Sequence, residues 1–342
     1  MERGLVVKSS GTWFGVLTDG GELVQCAVKG NFRIKGIKST SPVVIGDRVS
    51  VADGFITEVE DRKNYIIRKS INLSKQSHIL AANLDQVVLV VTVSHPTTST
   101  TFIDRFLASA EAYDVPAVLV FNKVDLLGVP KFPDNPEKLE KPENPEREYL
   151  EALINLYETV GYRCLKVSGA TGEGIDELRA LLEGKVTLFS GHSGVGKSTL
   201  INRLIPGLSL RTAEISDAYD TGKHTTTYSE MFPLADPSKS PLKEETLSSR
   251  PLREGRGRSF IIDTPGIKGF GSFDMEKEDI GDYFKEIFRF SKDCRFNNCT
   301  HTHEPGCAVL AAVERHDISE SRYKSYLSML NDEDEAKYRE EY

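Results

Sequence analysis

The sequence predicts an α/β protein built on a parallel sheet, with a small β-barrel before it and a helical unit after it. Three observations carry this. Residues 1 to about 70 alternate apolar and polar in five short runs separated by turn residues. From Leu84 onward, longer apolar strands alternate with helical segments, the pattern of a parallel sheet. Within that stretch, Gly191-His192-Ser193-Gly194-Val195-Gly196-Lys197-Ser198 stands between a short apolar run, Val186–Phe189, and a helical one, Ser198–Leu204.

In chain order, the first strands fall at Leu5–Val7, Trp13–Leu17, Leu23–Val28, Asp47–Val51 and Gly54–Val59. Thr18-Asp19-Gly20-Gly21 and Asp53-Gly54 mark hairpin turns. Five short strands suit a closed barrel of the OB type, a fold that often binds nucleic acid. Lys29, Arg33, Lys35 and Lys38 with Phe32 could serve that purpose, or form only a solvated basic loop; the residues leave both readings open.

Next come a strand at Gln86–Val93, a helix at Phe102–Tyr113 and a strand at Pro116–Phe121 that runs into Asn122-Lys123-Val124-Asp125. An aspartate at a strand end can accept from both N1–H and N2–H₂ of guanine, and adenine offers no such donor pair. Residues 128–147 are rich in Pro and Glu and read as a surface insertion. A helix at Glu148–Thr159 and a strand at Arg163–Val167 lead to the loop Ser168–Gly174, whose backbone can meet the guanine oxygen. The helix Ile175–Leu182 returns the chain to the glycine-rich segment.

That segment has the phosphate-loop pattern. Its glycines let successive N–H groups face inward at a helix N-terminus, where an anion is favoured. Lys197 would reach the β- and γ-phosphates from a water-filled rim, and the Ser198 hydroxyl, followed by Thr199, would take a position on Mg²⁺. Beyond it lie Gly222-Lys223-His224-Thr225-Thr226-Thr227, a strand from Tyr228 to Leu234, and a Pro-, Ser- and Arg-rich loop over 235–258. The strand Ser259–Ile262 ends in Asp263-Thr264-Pro265-Gly266. There Asp263 would hold Mg²⁺ through water, and the Gly266 N–H would meet the γ-phosphate. Ile267 stands where Ras-like enzymes carry a water-orienting glutamine, and its side chain has no donor or acceptor. That leaves His224 as the candidate to align the nucleophile, with Thr225 or Thr226 on Mg²⁺.

The remaining chemistry is near the end. Cys294, Cys299, His301 and Cys307 offer three sulfurs and one imidazole, a donor set for a closed tetrahedral structural zinc, which keeps no open position for catalysis. By spacing alone, His303 fits the fourth position as well as His301 does. Helices at Ala308–Arg315 and Arg322–Leu330 would pack around the site.

Composition sets outer limits. With 342 residues, two or three domains are the default. The longest apolar run, near Val87–Val93, is strand-sized and does not predict a membrane span. The N-terminus has no signal-peptide core, which predicts a cytoplasmic protein with no membrane partner. The formal net charge of −8 does not exclude nucleic acid, because it is unevenly spread. Residues 1–70 carry eleven Lys or Arg against eight Asp or Glu, and acid gathers around Glu137–Glu148 and in Asp332–Glu335.

One order is unusual. In an ordinary small GTPase the phosphate loop precedes Asn-Lys-x-Asp; here Asn122 precedes Gly191. A sheet needs adjacent strands, not a fixed chain order, so the same pocket can assemble from a circularly permuted P-loop GTPase domain. On this order, on Cys26–Gly30, Ile45–Val49, Gln76–Gln86, Asn122–Asp125, Gly191–Thr199, His224–Thr227 and Asp263–Gly266, and on Cys294–Cys307, the chain resembles the RsgA family over nearly its whole length. These are small-ribosomal-subunit-dependent GTPases of bacteria. The long insertions and Gly169, where alanine or serine is common, depart from the pattern. The resemblance implies a barrel over 1–72, a permuted GTPase domain over 73–275 and a zinc-binding domain over 276–342. It favours His301 over His303 as ligand. It also implies hydrolysis of GTP to GDP and phosphate in late maturation of the 30S subunit, stimulated by the subunit, with rRNA, one structural Zn²⁺ and Mg²⁺-GTP as partners and a monomer as the expected state. Two other classes compete: an RNA-binding module whose nucleotide site only switches, and an ATP-dependent kinase, which Asp125 disfavours.

Overall fold

The computed structural model describes residues 1–28, 42–68, 78–127, 144–210, 230–234, 259–263 and 275–331. The basic residues Lys29, Arg33, Lys35 and Lys38, the bulk of the two insertions, and the acidic tail lie outside them, as do His224, Thr225, Thr226, Gly266 and Ile267.

Five strands form the N-terminal barrel: β1 (Glu2–Ser10), β2 (Trp13–Thr18), β3 (Leu23–Val28), β4 (Arg48–Ala52) and β5 (Phe55–Val59). They pair in the order β1-β2-β3-β5-β4, and β4 closes back onto β1. Period-two alternation turns Val6, Phe14, Val16, Cys26, Val49 and Ile56 inward as a separate barrel core. Both turns form where the sequence marks them. Thr18 N–H bonds Glu22 O at 2.8 Å, and Asp53 and Gly54 both take positive φ, as a tight type I′ turn requires.

A hairpin absent from the sequence expectation follows: β6 (Tyr65–Arg68) pairs with β7 (His78–Ala82). It ties the barrel to the next domain. Ala82 N–H bonds Ile45 O, and the Asn64 side chain bonds Leu84 N–H and O. The strand His78–Ala82 lies within Gln76–Gln86, to which the sequence assigns no element because its apolar run is too short to register as a strand.

The α/β domain has the sheet order β10-β9-β8-β11-β13-β12. Its strands are β8 (Gln86–Val91), β9 (Ala117–Phe121), β10 (Arg163–Lys166), β11 (Val186–Ser190), β12 (Glu230–Pro233) and β13 (Phe260–Asp263). All neighbours are parallel except β12 on β13. β8 is buried at every residue because both sheet faces are covered, which explains its unbroken apolar run. On one face lie α1 (Thr100–Ala112) and α2 (Pro145–Val160), on the other α3 (Ile175–Leu182) and α4 (Lys197–Leu204). α2 starts three residues earlier than expected. The Asn144 side chain caps it by accepting from Arg147 N–H and Pro145 opens it, so two residues that look like the end of a Pro-rich insertion are a helix start. The barrel joins this sheet through β1 and β12, at Lys8 and Glu230, whose side chains also pair at 3.0 Å.

The C-terminal unit holds a 3₁₀ segment (Lys277–Tyr283), α5 (Lys285–Ser291), α6 (Ala308–Glu314) and α7 (Glu320–Leu330) around its own core of Ile280, Phe284, Ile287, Val309, Ala312, Tyr326 and Met329.

Candidate functional site

Because β8, β9, β10, β11 and β13 run parallel, their carboxyl ends open on one edge. The chain passes outward through β8, β9 and β10 and then returns to β11 beside β8. This is a topological switch point, where such sheets bind ligands. The segments predicted to bind nucleotide leave the sheet there: Asn122 after β9, Ser168 after β10, Gly191 after β11, and Asp263 at the end of β13.

Asn122 locks the loops together. Its Nδ2 donates to Val195 O at 2.8 Å, and its Oδ1 accepts from Gly169 N–H at 3.1 Å. Close packing decides two glycines of the phosphate loop. A Cβ on Gly196 (φ 91°) would stand 2.4 Å from Asn122 Nδ2, and one on Gly191 (φ 144°) 2.3 Å from Val90 O. At Gly169 a Cβ would stand 3.1 Å from the Thr199 methyl, so the glycine matches a threonine in α4. Ser168 is fully buried and its Oγ accepts from Thr171 N–H, holding the loop that follows β10.

Lys123 has left-handed backbone (φ 64°) and reaches across to Gly194 O at 2.6 Å and to His95 O. Burial lowers its pKa, against the pull of Asp125. Val124 is buried. Asp125 Oδ1 is also buried and has no hydrogen-bond partner among the described residues, an acceptor left open. In a folded protein such a group costs about 1–3 kcal/mol until a donor arrives.

Lys197 differs from expectation. It is buried, not on a water-filled rim, and its Nζ donates to Gly191 O at 2.6 Å and His192 O at 2.7 Å. Burial lowers its pKa to about 8, with Asp263 pulling the other way. The ammonium is thus stored on the loop's own carbonyls, from which phosphate oxygens would recruit it. Ser193, Gly194 and Thr199 are exposed and Ser198 half-buried. The His192 ring packs on Phe102 of α1, with centroids 3.7 Å apart, and burial and then Lys197 lower its pKa. This contact was not legible in the sequence, since His192 occupies a free position of the motif.

At the C-terminus the thiols of Cys294, Cys299 and Cys307 and the His301 imidazole converge, with all ligand atoms within 4.8 Å of one another. Cys294 Sγ lies 3.9 Å from Cys307 Sγ, and His301 Nδ1 lies 3.6 and 3.5 Å from these two sulfurs. A tetrahedron with ~2.3 Å metal–sulfur arms has sulfurs about 3.8 Å apart, so the donor set and spacing fit a bound ion. His303 is exposed and turned to Thr302 Oγ1. Glu304 braces the turn by accepting from the N–H groups of Thr300, Thr302 and His303. Tyr323 and Tyr326 donate to His301 O and Thr300 O, both at 2.7 Å. This outer layer fixes the ligands' orientation.

A second feature was missed. Arg322 of α7 is buried and bidentate to Glu286 of α5 at 2.6 and 3.1 Å, and it reaches Asp104 of α1 at 2.8 Å. Tyr157 of α2 donates to the same Asp104 oxygen at 2.9 Å. Arg105 donates to Ser328 O and Oγ. These contacts join the C-terminal unit to the α/β domain.

Sheet order, phosphate loop, Asn-Lys-x-Asp and the order in which the chain meets them define a circularly permuted GTPase fold with a barrel and a metal-competent C-terminal unit. Comparison with known proteins agrees. The models for the RsgA GTPase and the RsgA N-terminal domain match residues 59–239 and 3–58. A model for a 50S ribosome-binding GTPase matches 186–297, beginning at the phosphate-loop strand, where an unpermuted domain would begin. The chain is 58% identical to the small ribosomal subunit biogenesis GTPase RsgA of Bacteroides fragilis, over 99% of this chain and 100% of that one. The protein of the same name from Flavobacterium johnsoniae is 45% identical, over 97% and 94%. Among solved structures, YjeQ from Thermotoga maritima is 33% identical with a TM-score of 0.66, covering 96% of this chain and 97% of its own. YloQ, a circularly permuted GTPase, is 25% identical with a TM-score of 0.65, covering 96% and 93%. The chain belongs to the RsgA family of GTPases.

Proposed function

We propose that this protein hydrolyses GTP to GDP and phosphate during late maturation of the small ribosomal subunit, as a cytoplasmic monomer stimulated by the subunit and its rRNA. The observation that carries the nucleotide half is the open Asp125 carboxylate beside a phosphate loop pinned by Asn122. The subunit half rests on the name shared by full-length relatives. Asn122, Lys123, Val124 and Asp125 with Ser168 hold the base. Gly191 to Thr199 and Gly266 would hold the phosphates, and Ser198, Thr225 or Thr226 and, through water, Asp263 would hold a Mg²⁺ that supplies positive charge against the phosphate oxygens. Lys197 moves from the Gly191 and His192 carbonyls to the phosphates. His224 aligns the attacking water, since Ile267 cannot. The units act as 1–72, 73–275 and 276–342, the first two joined by the β6–β7 hairpin.

The test is phosphate release with and without small subunits. Turnover should be slow alone and rise severalfold or more with subunits. His224→Ala should remove most of the rise while leaving GTP affinity and subunit binding intact. A nucleotide-binding RNA module that only switches would show subunit binding that depends on nucleotide, with no phosphate release.

Zinc in the Cys294, Cys299, His301 and Cys307 site is read as structural, because four protein ligands leave no open position. Elemental analysis should give about one zinc per chain. Cys299→Ser or chelation should expose new protease cleavage after residue 280, with guanine binding largely kept. Loss of GTP binding with unchanged proteolysis would contradict a structural role.

A further inference from the structure

The two halves of the phosphate loop are anchored to different parts of the molecule. The back half is tied to the base-binding motif: Val195 O accepts from Asn122, and Gly194 O accepts from Lys123. The front half is held by Lys197, which donates to Gly191 O and His192 O. It is also held by the His192 ring, which lies on Phe102 with centroids 3.7 Å apart and planes 32° apart. The first hold is lost when phosphate oxygens recruit the ammonium. The second does not involve Lys197 and persists.

Phe102 is a buried residue in the first turn of α1. Asp104 and Arg105 follow it within three residues, about 4.5 Å along the helix axis. Asp104 accepts from Arg322, Arg105 donates to Ser328 O and Oγ, and Ala108 lies in the core of the C-terminal unit. Farther along, Glu111 pairs with Lys285 of α5 at 3.0 Å. One helix therefore meets the front of the phosphate loop at its start and the C-terminal unit at 104, 105, 108 and 111.

We propose that Phe102 is a positioning residue for phosphoryl transfer. Through His192 it keeps the front of the phosphate loop in register with α1, and so with the C-terminal unit. The proposal rests on the nucleotide reading above and adds to it a residue outside every motif. A rigid element packed against two sites is a physical carrier of coupling between them. Because the back half of the loop has its own anchors on Asn122 and Lys123, the effect falls on the phosphate end and spares the base end.

The test uses the full-length protein. Phe102→Leu keeps an apolar side chain and removes the flat ring. It should lower kcat for GTP about tenfold, with KM and GDP affinity kept within about threefold. With GDP bound, the His192 and Ser193 amides should exchange about tenfold faster, and those of Val195 and Gly196 at the wild-type rate. Phe102→Tyr keeps the ring and should recover most of kcat. Arg105→Met cuts α1 from Ser328 and should lower kcat severalfold in the wild type. In the Phe102→Leu background it should have no further effect, since the link is already broken. Equal losses of kcat and GDP affinity, unchanged loop exchange, or a tyrosine variant as slow as the leucine one would overturn the positioning role. Effects of Phe102→Leu and Arg105→Met that simply multiply would overturn the coupling to the C-terminal unit. Wild-type protein that binds no GDP would count instead against the nucleotide reading.

Discussion

Asp125→Asn should weaken GTP and GDP binding at least a hundredfold, about 3 kcal/mol, and should let xanthine nucleotides bind in their place. The carboxylate offers two acceptors to the N1–H and N2–H₂ of guanine. Asparagine keeps one acceptor and sets a donor against a donor, whereas the extra carbonyl of xanthine suits that donor. A site built to meet a specific hydrogen-bond pattern rejects the wrong ligand strongly, because buried groups are left unpaired. The free protein should not suffer. Asp125 Oδ1 has no partner among the described residues, so the exchange breaks no bond of that atom there. The change in affinity therefore reads recognition and not folding. Competition against labelled GDP measures it. Equal competition by ATP in the wild type, or guanine binding unchanged in the variant, would remove Asp125 from base recognition.

The sequence carried this site well because each part is a short motif at a strand end, and parallel strands bring their carboxyl ends to one edge. Gly191–Ser198 and Asn122–Asp125 needed only that rule to be placed side by side, even with their order permuted. The cluster of Cys294, Cys299, His301 and Cys307 was legible for the same reason: four donor residues so close in sequence have few ways to lie apart. Tertiary detail was not legible. The sequence does not say that Lys197 folds back on its own loop, because a buried lysine and a rim lysine share one motif. Nor does it pair Phe102 with His192, which are ninety residues apart and meet only because α1, packed over β8 and β9, brings Phe102 to the loop that follows β11. The β6–β7 hairpin escaped because its strands are short and their apolar residues are buried against residues distant in sequence, Ile67, Ile79 and Ala82 against Val44. Nothing local marks Arg322, the first residue of the helix read at Arg322–Leu330, as buried; its burial depends on acids contributed by two other helices.

That buried cluster sets the last and largest effect on stability. Arg322→Ala should loosen the C-terminal unit by about 3–5 kcal/mol, since it strands two carboxylates, Asp104 and Glu286, away from water. Burial by itself opposes the Arg322 charge, but Asp104 and Glu286 overcome it and hold the guanidinium charged. Burial also pushes the Asp104 carboxyl up, and only Arg322 and the hydrogen bonds from its neighbours restrain it. Without the arginine, at least one acid must take a proton or the helices must part. Hydrogen exchange should show protection of α7 amides falling by about two to four orders of magnitude, while guanine binding at the distant sheet edge persists. The decisive comparison is a fourfold variant, Asp104→Leu, Tyr157→Phe, Glu286→Met and Arg322→Met. It removes the charges together with the hydroxyl that bonds Asp104, and it should restore α7 protection or raise it, because an apolar replacement of a buried ion cluster is often neutral or stabilising by about 1–4 kcal/mol. If the fourfold variant were as loose as Arg322→Ala, the cluster's geometry, and not the burden of unpaired charge, would be what holds the two domains together.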